Sequence, residues 1–111
     1  MATIRVTDHE IEVRLTRWEK VAALHGNLHI PRRAIRGIEV VENAMTAVRG
    51  VRVPGLHPPR RRAVGTWRHR HGKDFVAARR SPGVALVLDG QPWSAVIVSL
   101  PDAEGVAAQL R

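Results

Sequence analysis

Apolar residues recur at every second position at the start of the chain, at Ile4 and Val6 and again at Ile11, Val13 and Leu15, with Glu10, Glu12 and Arg14 on the opposite face and Asp8-His9 between the runs. Period two is the spacing of a strand with one covered face, so this segment predicts a β-hairpin. Thr16-Arg17-Trp18-Glu19 then has capping-box spacing, in which Thr16 accepts from the Glu19 amide while the Glu19 side chain reaches back, and Gly26 supplies a stop. A short helix over Arg17 to His25 is expected, with Trp18, Val21 and Ala22 on the face that packs on the sheet. Leu28 and Ile30 predict a third strand ending at Pro31. Ile35 to Val41 predict a fourth, where Ile38 and Val40 alternate against Glu39.

Asn43 can cap one turn over Ala44 to Val48, after which Gly50, Pro54, Gly55, Pro58 and Pro59 punctuate a stretch without periodicity, and residues 49–62 are expected to be a loop. Two further hairpins follow, Ala63 to His69 with Lys73 to Arg79 around His71-Gly72, and Val84 to Leu88 with Trp93 to Ser99 around Asp89-Gly90. The run Val84-Ala85-Leu86-Val87-Leu88 is apolar on both faces and reads as a central, covered strand. Pro101 suits a first helical position, Asp102 and Glu104 favour the positive end of a helix, and Ala103, Val106, Ala107 and Leu110 form one apolar stripe. The chain is thus expected to close with an amphipathic helix.

Composition narrows the classes. At 111 residues one domain accounts for the chain, and a domain of this size stands without staples. The absence of cysteine excludes disulfides, thiolate metal sites and cysteine nucleophiles. Met1 to Val13 alternates apolar and charged residues and lacks the pattern of a signal peptide, so the cytoplasm is the expected compartment. The longest apolar stretch, Val84 to Val98, is broken by Asp89, Gly90, Gln91 and Pro92, so no membrane-spanning segment is expected. The excess of Arg over Lys, with abundant Ala and Val, matches a GC-rich genome. The net charge of +8 is uneven: residues 1–48 hold seven basic and six acidic groups, 49–80 ten and one, and 81–111 one and three. The middle third therefore sets up a local positive potential that attracts phosphates, anionic headgroups or acidic proteins.

Short antiparallel strands followed by one C-terminal helix describe a mostly-β fold, a partly open β-barrel or two antiparallel sheets, with a short inserted helix after the first hairpin. Thr7-Asp8-His9-Glu10-Ile11-Glu12-Val13, Ile30-Pro31-Arg32-Arg33-Ala34-Ile35-Arg36-Gly37-Ile38 and Val98-Ser99-Leu100-Pro101-Asp102-Ala103-Glu104 resemble bacterial PH-like domain proteins of actinobacterial type. The resemblance covers nearly the whole chain, 1–111, and departs from simple bacterial PH-like domains at the inserted helix. It implies a barrel plugged by the closing helix, a binding module for lipids, peptides or its own kind, and no catalytic residues or cofactor.

For chemistry, His69-Arg70-His71 sets two imidazoles on one strand face, able to chelate a metal if His57 or Asp74 approaches, although Arg68, Arg70 and Lys73 oppose a dication. A metal-dependent enzyme built on His57, His69 and His71 is the weakest reading. Glu10 and Glu12 are expected to form a solvated charged face, and no nucleophile motif surrounds Ser81, Ser94 or Ser99. The constellation that carries a functional expectation is Arg60-Arg61-Arg62 followed by Trp67, Arg68, Arg70 and Lys73. It predicts a non-catalytic module that recruits an acidic protein or anionic phospholipid headgroups, peripheral to the inner face of the membrane. With Trp67 stacking a base, the same residues would bind nucleic acid non-specifically. An exposed sheet edge would also invite strand addition and homo-oligomers.

Overall fold

A computed structural model of the chain describes residues 2–23, 26–49, 51–53 and 62–110, the side chains of residues 21–23, 51–53 and 62 apart. The first hairpin forms as its period predicts. β1 (Thr3–Val6) and β2 (Glu10–Arg14) pair antiparallel, with Ile4 opposite Val13 and Val6 opposite Ile11 on the covered face and Arg5 opposite Glu12 on the outer one. Thr7 closes the turn: its hydroxyl donates to the Glu10 carbonyl at 2.9 Å and accepts from the Glu10 amide at 3.1 Å.

The capping box also forms. Thr16 Oγ1 accepts from the Glu19 amide at 3.2 Å, and Glu19 Oε1 accepts from the Thr16 amide at 2.9 Å, at the start of α1 (Arg17–Ala23). Beyond the box, Glu19 Oε2 accepts from the Ala2 amide at 3.1 Å, so the buried carboxylate also ties down Ala2 at the entry to β1. Asn27 Oδ1 accepts from the Leu15 amide at 2.9 Å, joining the entry and exit of the helical excursion, and β3 (Leu28–Pro31) then pairs with β2. Trp18 departs from expectation: it is 53% exposed rather than packed on the sheet. Glu19 takes the inward position that the apolar pattern assigned to its neighbour.

A 3-10 turn at Arg32–Ala34 leads into β4 (Ile35–Val41), the first strand of a second sheet. Asn43 caps the single turn Ala44–Ala47 by accepting from the Met45 amide at 3.1 Å. Within the expected 49–62 loop the chain makes β5 (Val51–Val53), which pairs with β6 (Arg62–His69), and β6 pairs with β7 (Gly72–Arg79). β8 (Gly83–Leu88) and β9 (Ala95–Ser99) form the last hairpin, and α2 (Ala103–Leu110) closes the chain.

The strands form a three-stranded sheet, β1-β2-β3, and a six-stranded sheet ordered β4-β8-β9-β7-β6-β5. Among the described residues no closed barrel results, and the pairing is not purely antiparallel. β8 is laid two places away from β7, and β9 fills the gap between them, which makes β9 parallel to β7, with Phe75 opposite Val96. That placement also makes β9, rather than β8, the fully covered strand: all five of its residues are buried, whereas Val87 of β8 is 51% exposed.

One core lies between the sheets, where Ile11, Val13 and Ile30 meet Phe75, Leu86 and Val96, and α2 seals it through the predicted stripe, Ala103 and Ala107 being buried and Val106 and Leu110 packed against them. α2 packs on β1 and β4, the outer strands of the two sheets. A smaller core on the other face of the six-stranded sheet gathers Trp67, Val76, Ala78 and Ile97 under Ala44. No helix of the described residues is long and apolar enough to cross a membrane.

Candidate anion-binding hairpin

The β6–β7 hairpin carries four of the predicted basic residues, Arg62 at its open end and Arg68, Arg70 and Lys73 at its closed end. Strand alternation sorts its side chains: Val64 joins the core between the sheets, while Ala63 and Trp67 join the smaller core on the opposite face. Arg68, four residues after Val64, therefore points to the side of the three-stranded sheet, beyond the end of the core, and its register partner is Lys73. The turn is Arg70-His71 rather than His71-Gly72, since Gly72 already pairs with His69. Gly72 has φ +140°, and a Cβ there would run into Ser94 Oγ, so the hairpin end requires glycine.

Arg68 and Arg70 are exposed and make no ion pair among the described residues. The Lys73 ammonium sits 4.9 Å from the Trp93 ring centroid, and the Trp93 ring is in turn held edge-on to Phe75 at 5.3 Å. This aromatic support orders Lys73 without neutralising it. Arg60 and Arg61 lie outside the described residues, as does the side chain of Arg62.

The single acidic residue of the 49–80 segment, Asp74, points the other way. It is fully buried next to Trp67, where Arg49 Nε donates to Oδ2 at 2.8 Å and His69 Nε2 to Oδ1 at 2.8 Å. The hydrogen bond that Arg49 donates to Asp74 raises the Arg49 pKa above its ordinary value, outweighing burial. The His71 amide donates to His69 Nδ1 at 3.1 Å, so Nδ1 carries no proton and the Nε2–H tautomer faces the carboxylate. Both ring nitrogens of His69 are thus committed inside the protein. Asp74 does approach His69, as the metal reading required, but as a hydrogen-bond acceptor. Among the described residues no group of three His, Asp or Glu side chains converges as a metal site, and His57 lies outside them.

One further expectation changes. Trp67 is 2% exposed, filling the smaller core, so it cannot stack on a base. The hydroxyls of Ser94 and Ser99 contact backbone, Ser94 donating to the His71 carbonyl at 3.4 Å and Ser99 to that of Arg79 at 3.1 Å. Glu10 and Glu12 lie on the outer face of the three-stranded sheet beside Arg14 and His29, with Arg14 Nε 2.6 Å from Glu12 Oε1.

A second cluster of arginines was not anticipated. Arg32, Ile35, Arg36, Gly37, Ile38 and Leu110 line a cleft of about 250 Å³ between β4 and the end of α2. Its arginines are already engaged: Arg32 donates to the Gln109 carbonyl at 3.0 Å and the Thr7 carbonyl at 3.3 Å, and Arg36 pairs with Asp89. The contrast defines the candidate site, for Arg68, Arg70 and Lys73 have no such hydrogen-bonding partner among the described residues. Comparison with known protein families, curated proteins and solved structures finds no match.

Proposed function

We propose that the protein is a non-catalytic, PH-like interaction module that binds an acidic partner surface, of a protein or of an anionic membrane, through the end of the β6–β7 hairpin and the Arg60-Arg61-Arg62 run leading into it. The observation that carries this reading is the segregation of charge: Arg68, Arg70 and Lys73 sit at one hairpin end while the only acid of the segment is buried against Arg49 and His69. An uncompensated cluster attracts anions through a local field that neighbouring carboxylates would otherwise cancel. The β-rich architecture and the amphipathic helix packed across strand edges support the PH-like part. Fold alone does not decide function.

The test is binding of the wild type and an Arg68→Glu/Arg70→Glu variant to a polyglutamate surface and to anionic vesicles, at about 50 and about 300 mM salt to vary screening. The reading predicts salt-sensitive binding of the wild type to at least one of these, at least tenfold weaker in the variant. Equal behaviour of the two proteins would remove it.

A further inference from the structure

Two large apolar side chains are exposed among the described residues, Val87 and Trp18. Val87 stands in the open face of β8 beside Gly37 and Ala95, with no charge pattern to say what meets it. Trp18 is different. It lies in the first turn of α1 between Arg17 and Lys20, both exposed, while Glu19, the acid of that turn, is turned inward onto the Ala2 and Thr16 amides. The outer surface of α1 is therefore cationic and aromatic, and its carboxylate is withdrawn just as Asp74 is withdrawn from the hairpin.

The two surfaces are carried by elements in contact. α1 packs against β6, and β6 is basic at both ends, entered from Arg60-Arg61-Arg62 and left through Arg68 and Arg70. Arg68 and Lys73 project to the side of the six-stranded sheet on which the three-stranded sheet lies, the sheet whose strands α1 connects.

Resting on the reading that the basic hairpin binds anions, we infer that the partner surface is an anionic lipid bilayer, with Trp18 seated at headgroup depth and Arg17, Lys20, Arg68 and Arg70 on the headgroup charges around it. Tryptophan suits that depth because its ring joins an apolar body to a polar edge. The cations come from a helix, a strand and a turn, so they are spread out in the manner of a laterally extended anionic surface. Nucleic acid fits less well, because stacking successive bases takes several exposed aromatic rings, whereas Phe75, Trp67 and Trp93 are buried and the chain has no tyrosine.

Because Trp67 and Trp93 are buried, quenchers in lipid chains report on Trp18 alone. The experiment mixes the full chain with phosphatidylglycerol/phosphatidylcholine vesicles, brominated or not on the acyl chains, and reads tryptophan emission and sedimentation from the same samples. The inference predicts that brominated anionic vesicles quench the wild type more than unbrominated ones do. It also predicts no response to pure phosphatidylcholine, loss of the bromine-dependent quenching in Trp18→Phe, and about fivefold weaker sedimentation for each of Arg17→Gln and Lys20→Gln.

Vesicle binding without bromine-dependent quenching would overturn the role of Trp18 and leave the basic-hairpin reading standing. Binding to polyglutamate or single-stranded DNA with none to vesicles would overturn the bilayer and identify the acidic protein or the nucleic acid in its place. Failure to bind any anionic probe would overturn both readings. The comparison of brominated with unbrominated lipid uses one and the same protein, so the result does not hinge on a variant folding.

Discussion

Glu19 and Asp74 are the acidic side chains withdrawn from solvent among the described residues, and each has its oxygens satisfied by different partners. Glu19 accepts two backbone amides, those of Ala2 and Thr16; Asp74 accepts from a guanidinium and an imidazole. A buried charge left without its partner is costlier than the pair was favourable. Removing Arg49 leaves the buried Asp74 carboxylate with the His69 ring as its one remaining side-chain partner. Arg49→Ala is therefore expected to destabilise the fold by about 3 kcal/mol. Asp74→Asn frees only a half-exposed guanidinium that can turn to water, and should cost about 1 kcal/mol. Urea unfolding of both variants checks the order; a larger loss for Asp74→Asn would mean that the latch works through packing of the carboxylate rather than through its charge.

The Arg36–Asp89 pair acts at the surface. Hydrogen bonding to Arg36 holds the Asp89 pKa below the ordinary carboxylate value. A carboxylate depressed in the folded state contributes stability that is present above its unfolded pKa and lost as pH falls through the folded one. The wild type should therefore lose part of its advantage over Asp89→Asn as pH falls from about 5 to about 2, and salt should shrink the effect because both groups are exposed. Thermal unfolding of the two proteins across that range, at low and high salt, measures it; a constant difference would mean that the pair contributes nothing.

At the scale of elements, what the sequence made legible is what depends on neighbours along the chain. The first hairpin, the capping box, the Asn43 turn and the stripe of α2 all formed where their spacing put them, because each is decided within a few residues. What it hid depends on partners far away. β5 is a strand because Val51 and Val53 find Arg68 and Thr66 across the sheet; nothing in Val51-Arg52-Val53, among prolines and glycines, says so. The parallel pairing of β7 with β9 follows from where β8 was laid, and no local signal encodes a skipped position. Helical spacing places Trp18 on the core face, but the buried carboxylate of Glu19 fixes the rotation of α1 through two hydrogen bonds.

In the candidate site the basic residues were legible as a cluster, whereas the partnership of Arg49 with Asp74 spans 25 residues and was not. The hairpin end itself rests on one backbone conformation. Gly72→Ala places a side chain at φ +140° and should cost about 1–3 kcal/mol. Ser94→Ala clears the steric obstacle but not the dihedral strain, so the double variant should recover only a fraction of the loss in a urea titration. Full recovery would assign the requirement for glycine to crowding alone.

For the molecule as a whole, folding separates the charges that the sequence interleaves. Carboxylates that could neutralise α1 and the β6–β7 hairpin are drawn inside, and cations are left facing one another, Arg68 directly opposite Lys73. Like charges opposed across a strand pair are destabilising, and a net +8 adds a diffuse repulsion that salt screens. An arrangement selected only for stability would not hold these cations together, so the surface and the fold should respond in opposite directions when they are removed. A variant with Arg17, Lys20, Arg68 and Arg70 all changed to Gln should melt a few degrees higher than the wild type at about 20 mM salt, a gain on the order of 1 kcal/mol. Added salt should raise the melting temperature of the wild type and close the gap, while the variant loses its affinity for anionic surfaces. Differential scanning calorimetry over a salt series, beside the vesicle titration, measures both quantities. If stability and binding instead fall together, these side chains hold the structure up, and the anion-binding reading loses the charge argument on which it stands.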